Sequence, residues 1–248
     1  MEANLSAGGQ IALVCLVLCA AAGAPRAVVG AEGRLSLVAA SDYVHRGLSL
    51  NDAGPALLAG ASYRFDQGVY AGVWAATVSN SRTIVRDAAG RFEVNYLVGY
   101  SRPWREAWDY DVAALRYEYP GSDAPIDYGY TELAASIGYG GWLWFSAAAS
   151  RDATLVTLRG LEYDVSTVAL ELAVERPLRA WLSWAAGAGY FDFRDGAAPG
   201  YAYFNAGLAA RFRRLEAELQ YIDTARGERL FGRRLAGPRV VFLLMASF

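Results

Sequence analysis

From Leu35 onward the apolar positions recur every second residue rather than every third or fourth, the period of a strand with two unlike faces. The clearest run is Leu215-Glu216-Ala217-Glu218-Leu219-Gln220-Tyr221, where apolar and polar side chains alternate without a break. Phe92-Glu93-Val94-Asn95-Tyr96-Leu97-Val98-Gly99-Tyr100 repeats the pattern, and residues 131–139 set Glu132, Ala134, Ser136 and Gly138 on one face. The last run, residues 239–248, has no Gly, Pro, Asn or Asp and puts Val240, Phe242, Leu244, Ala246 and Phe248 on one side. It is too short for a spanning helix of ~20 residues but fits a membrane strand of ~9–11. A final amphipathic strand that stops on Phe resembles the closing strand of an outer-membrane barrel.

Turn residues divide the body into twelve candidate strands, at about 34–46, 55–65, 69–79, 91–102, 109–120, 128–139, 142–151, 161–176, 181–192, 201–212, 215–224 and 238–248. Short connections (66–68, 103–108, 140–141, 177–180, 213–214) alternate with long ones (47–54, 80–90, 121–127, 152–160, 193–200, 225–237) along the whole chain. That alternation predicts an all-β fold: a transmembrane antiparallel up-and-down barrel with short periplasmic turns and long outer loops. Gly140-Gly141 suits a two-residue hairpin, since Gly takes positive φ without strain. Residues 133–150 run for 18 positions without a charge, a length at which a membrane helix must be weighed. The glycines at its centre and the period of two on either side favour a hairpin. Twelve strands are many for a soluble lipocalin-like barrel of eight, and the more polar faces, with their smaller side chains, are assigned to the inside.

The N-terminus differs from the body. Residues 11–24 are almost wholly apolar and end in small residues, as the core of a secretory signal does, although the flank carries Glu2 and no basic residue. Cleavage after Ala31 divides the chain into a signal peptide, 1–31, and a barrel domain, 32–248. The two cysteines, Cys15 and Cys19, leave with the signal, which removes disulfides and thiolate chemistry. A single histidine, His45, excludes a multi-His metal site within one chain. A formal charge of −2 gives no support for a nucleic-acid partner.

Composition adds two sets of candidate functional residues. Six of the seven tryptophans flank short turns: Trp104, Trp108, Trp142, Trp144, Trp181 and Trp184. With Phe248 they form an expected aromatic belt at one membrane interface. A lipid-facing Arg near the midplane costs ~2–4 kcal/mol, so the strand charges should face the lumen: Arg46, Arg64, Glu93, Arg116, Glu118, Glu132, Glu171, Glu175, Arg211, Glu216, Glu218 and Arg239. Either these pair and close the lumen, or they line a wet passage in which the surplus of acids favours cations.

Several segments, in order and spacing, resemble the proteobacterial conserved hypothetical family Gcw_chp. They are Ser41-Asp42-Tyr43-Val44-His45-Arg46-Gly47, Pro55-Ala56-Leu57, Gly68-Val69-Tyr70-Ala71-Gly72-Val73-Trp74, Glu93-Val94-Asn95-Tyr96, Tyr110-Asp111-Val112, Tyr119-Pro120-Gly121 and Tyr130-Thr131-Glu132-Leu133. The resemblance runs from about residue 34, most densely to residue 145. It departs at His45, where an aromatic such as Phe is expected, and in residues 48–51. It implies an exported proteobacterial protein and supplies no catalytic residue, because no function is established for the family.

Ser41 and His45 share a strand face, but four residues at ~3.3 Å each set them ~13 Å apart, beyond hydrogen-bond reach. Asn51-Asp52-Ala53-Gly54-Pro55 is turn chemistry; a calcium site there with Asp123 or Asp127 would be unspecific. The leading expectation is a narrow, passive, weakly cation-preferring channel in the outer membrane of a Gram-negative bacterium. Its expected partners are outer-membrane lipid, the outer-membrane insertion machinery and small solutes or ions, with no cofactor, no metal and no catalytic site. The alternatives are a membrane-embedded enzyme or lipid-binding barrel, and a structural or adhesive barrel with a salt-bridged lumen. Closure requires the first and last strands to pair.

Overall fold

The computed structural model describes residues 31–79, 92–120, 128–156, 162–194, 196 and 198–248. The expected signal peptide, apart from Ala31, and the connections 80–90 and 121–127 lie outside them. The described strands are β1 (Glu32–Ala40), β2 (Val44–His45), β3 (Leu48–Ser49), β4 (Ala56–Arg64), β5 (Val69–Thr77), β6 (Phe92–Arg105), β7 (Trp108–Glu118), β8 (Tyr130–Tyr139), β9 (Leu143–Val156), β10 (Glu162–Arg179), β11 (Leu182–Phe193), β12 (Tyr201–Phe212), β13 (Leu215–Ala225) and β14 (Arg239–Ser247). Two short helices, α1 (Gly227–Phe231) and α2 (Arg233–Ala236), lie between β13 and β14.

Twelve of the strands form a closed antiparallel barrel in sequential order, with β1 between β14 and β4. The seam is the pairing that closure demands. Val38 sits opposite Met245 and Ala39 opposite Leu244, and Leu35 and Phe248 exchange backbone hydrogen bonds of 3.0 and 2.9 Å. Closure leaves no strand edge unpaired, which is what a β-structure in lipid requires. The exposed face of β14 is Val240, Phe242 and Leu244, while Val241 and Leu243 are buried inside. Along β13, Glu216, Glu218, Gln220 and Thr224 are buried and Leu215, Leu219 and Tyr221 are exposed. The apolar side is therefore outside: a transmembrane barrel rather than a soluble one.

Four boundaries differ from the sequence expectation by three residues or more; one is the end of β9, at Val156 rather than 151. β1 ends at Ala40, not at residue 46, and residues 41–55 leave the wall. β6 continues through Pro103 to Arg105 because a register irregularity near Pro103 takes up the proline. β10 similarly passes Pro177 with a shift in register. Proline in a barrel strand needs such a break, since it cannot donate to the ladder.

Candidate functional site

Residues 41–55 turn into the barrel mouth at its long-loop end. Ser41 still completes the seam: its N–H donates to the Phe242 carbonyl and its Oγ accepts from the Phe242 N–H, each at 2.9 Å. Beyond it, β2 and β3 form a small hairpin. Arg46 (φ 49°) and Gly47 (φ 77°) make its turn. A Cβ on Gly47 would stand 2.6 Å from Thr224 and 2.8 Å from Tyr203, so only glycine fits between these wall residues. Tyr43, Val44 and Ser49 have no exposed surface. Tyr43, Val44 and Leu50 pack with wall residues such as Leu58, Trp74 and Leu243 in one buried cluster. The hairpin thus occupies the lumen rather than hanging over it.

Buried polar contacts fix it. Arg46 donates from both terminal nitrogens to Glu132 of β8, at 2.7 and 2.9 Å, with side-chain exposures of 7% and 4%. This forked geometry is the strongest form of the pair. The Arg46 guanidinium also lies 5.3 Å from the centre of the Phe191 ring, and the Arg46 carbonyl accepts from the Tyr201 hydroxyl at 3.1 Å. The Glu93 carboxylate takes hydrogen bonds from Tyr43, Tyr119 and Asn95 at 2.9, 2.9 and 2.7 Å. Arg239 donates to Asp42 at 2.6 Å, and Ser49 Oγ donates to the other Asp42 oxygen at 2.6 Å. Burial pushes the Asp42 carboxyl above its ordinary range, against the pull of Ser49 and Arg239.

The α1–α2 segment covers the hairpin. Leu230 and Phe231 pack with Leu48, Phe193 and Tyr201. Thr224 Oγ1 donates to the Ala236 carbonyl at 2.6 Å, and Arg234 reaches Asp52, in the turn after β3, also at 2.6 Å. Nearer the short-turn end the lumen carries a second polar set. Arg211 bridges Glu175 and Glu216 at 3.3 and 3.0 Å. Glu218 accepts from Gln220 at 2.5 Å. Tyr70 donates to Asp111, and Arg64 lies 4.9 Å from the Tyr70 ring centre. Between the two sets, Glu171 accepts from Tyr203, the neighbour of Gly47, at 2.5 Å and from Ser146 at 3.2 Å.

Two residues expected in the lumen are elsewhere. Asp111, Leu115 and Tyr117 are the buried residues of β7, so Arg116 and Glu118 point outward. Arg116 pairs there with Glu118 at 2.6 Å and with Asp152 at 3.4 Å. The expectation placed both inside because a lipid-facing charge is costly. It fails here because Arg116 finds Glu118 and Asp152 as partners on the outer face. Trp144 needs the opposite correction: it packs against the inward residues Ala173, Ala185 and Ala209 and is no part of an outer belt. Phe145 is the exposed residue there. Trp104, Trp108, Trp181, Trp184 and Phe248 are exposed beside the short turns, and Trp142 lies under Arg176, 3.9 Å from its ring centre.

The sequence reading missed Asp42, Tyr43, Asp111, Tyr117 and Tyr203. Strand parity could have found Tyr203, two positions from Asn205 on the inward face. Strand parity does not place Asp42 and Tyr43, because they belong to no barrel strand; the only sequence signal for them is the segment 41–47 that carries the family resemblance. Ser41 and His45 have different partners, Phe242 for the first and an edge contact with Tyr117 at 6.3 Å for the second.

A family model described as a bacterial protein of unknown function, Gcw_chp, matches residues 27–248. The chain belongs to this family. No curated protein matches it. Among solved structures, this member of the Gcw_chp family is similar to the NanC porin (10% identity, TM-score 0.57, covering 88% of this chain and 99% of that one). It is also similar to the KdgM porin (7% identity, TM-score 0.53, covering 87% and 99%). A KdgM porin in complex with disordered oligogalacturonate matches equally well (6% identity, TM-score 0.53, covering 87% and 98%). At these identities the likeness is one of fold: a Gcw_chp chain adopts the barrel of outer-membrane porins.

Proposed function

We propose that the protein is an outer-membrane channel for small solutes or ions, weakly cation-preferring, whose long-loop mouth is occupied by residues 41–55. The observation that carries this reading is the polar lumen of a porin-type barrel, with the hairpin held in it by Arg46 and Glu132. The inward acids Glu93, Asp109, Asp111, Glu132, Glu171, Glu175, Glu216 and Glu218 outnumber the inward arginines. Fixed negative charge along a narrow path favours cations at low salt. The expected lumen-lining set is thereby carried forward without Arg116 and Glu118. Arg46 reaches the lumen from the hairpin rather than from a wall strand, and Trp104, Trp108, Trp142, Trp181, Trp184 and Phe248 are assigned to the membrane interface.

Planar-bilayer recording of the refolded barrel tests the proposal. Small, cation-selective steps are expected, and they should grow when residues 42–54 are replaced by a short Gly/Ser linker. Complete absence of conductance in both proteins would remove the channel. The buried Arg46–Glu132 pair also favours a second reading, a barrel closed for structural or adhesive use. That reading expects silence from the intact protein and conductance from the deletion alone.

A further inference from the structure

The α1–α2 segment presents an arginine surface that the channel reading does not use. Arg226, Arg229, Arg233 and Arg234 fall within nine positions and are all exposed, with Glu228 the single acid among them. Among the described residues, Arg226, Arg229 and Arg233 form no ion pair, while Arg234 pairs with Asp52. The scaffold beneath them is fixed. Gly227 and Ala236 are buried, Thr224 donates to the Ala236 carbonyl, and Arg239 donates to the Arg234 carbonyl at 2.9 Å. The surface is therefore held in place before any partner arrives, which lowers the ordering cost of binding.

Its one internal occupant is a carboxylate under strain. Asp52 and Ala53 both have φ 56°, a left-handed conformation that costs a non-glycine residue. One Asp52 oxygen, Oδ1, is buried without a hydrogen-bond partner, and a buried unpaired acceptor is unfavourable. The carboxylate that Arg234 holds is thus poorly satisfied, and an anion with more oxygens could replace it.

We propose that the α1–α2 surface binds polyphosphate-type anions from the long-loop side, and that Arg234 exchanges Asp52 for the ligand. Arginine suits phosphate because its planar fork matches the oxygens. Two sources share this chemistry: soluble polyphosphates, and the phosphorylated headgroups of outer-leaflet glycolipid. Exchange at Arg234 frees the turn after β3, while the Arg46–Glu132 pair stays in place.

Calorimetric titration of the full-length protein in detergent with inorganic tripolyphosphate tests the site. Wild type should bind, more weakly as salt rises. D52N should bind about two- to fivefold more tightly, as expected for removal of one exposed competing ion pair. The R229Q/R233Q/R234Q variant should lose about tenfold or more, since these are charge-assisted contacts; heat-modifiable gel migration would show that its barrel is folded. Capture by vesicles carrying phosphorylated but not dephosphorylated lipopolysaccharide would assign the glycolipid source, and tripolyphosphate binding without vesicle capture the soluble one. No tripolyphosphate binding by wild type, or equal affinities for wild type and the triple variant, would overturn the site. Equal affinities for wild type and D52N would overturn the exchange. The readout is binding, so a protein without conductance would leave this result standing.

Discussion

At the scale of single residues, the lumen depends on whether each buried charge keeps its partner. Removing one member of a buried ion pair costs ~3–5 kcal/mol, because the other is left charged and unpaired. Glu132→Gln should therefore unseat residues 41–55, seen as faster proteolysis within that segment and larger conductance, while the barrel still migrates as folded on unheated gels. Arg46→Met combined with Glu132→Leu should restore much of the seating, since an apolar replacement of both leaves no orphan charge. Gly47→Ala should act like Glu132→Gln by another route. It places a methyl group 2.6 Å from Thr224 and adds ~1–2 kcal/mol of left-handed backbone strain. Both Arg46 and Glu132 were legible in the sequence as inward charges. That they meet was not, because their contact spans 86 positions and Arg46 reaches it from a hairpin rather than from a strand.

At the scale of elements, period two identified the wall strands well, and its errors have one source. A strand of alternating residues shows which residues share a face, not which face is in. For β13 and β14 the choice was decided by charge against lipid. For β7 that same criterion turned the strand over locally, since Arg116 and Glu118 pair with each other on the outer face. Arg116→Ala should consequently cost at most about 1 kcal/mol, as exposed pairs do, measured by denaturant unfolding from lipid. Arg211→Ala should cost more, because it strands Glu175 and Glu216 together. The tryptophans give an independent check on orientation. In single-tryptophan proteins reconstituted with brominated lipid, fluorescence of Trp184 should be quenched and that of Trp144 spared. Quenching of Trp144 would mean that β9 is turned inside out. The first strand was read six residues too long for a related reason: Tyr43-Val44-His45 continues an apolar pattern, but the buried surface it meets is the inside of the barrel.

At the scale of the whole molecule, the barrel is made by its ends. Every other strand pair joins neighbours in sequence, whereas β1 and β14 meet across nearly the full chain. Such a contact has the largest loop-closure cost of the wall pairs. Its stability rests on the outer face of β14 meeting lipid and the inner face meeting Val38, Ala40 and the hairpin. Phe242 is exposed outward at the seam, and its N–H and carbonyl both bond Ser41. Phe242→Arg should cost ~2–4 kcal/mol if it lies near the midplane of the apolar band, and less toward an interface. Phe242→Leu should be nearly neutral, because the backbone bonds to Ser41 remain. Unfolding in denaturant from lipid vesicles would read both. A barrel that tolerates Arg at this position as well as Leu would place the seam outside the lipid, and the strand that resembles a membrane closure would be serving some other surface.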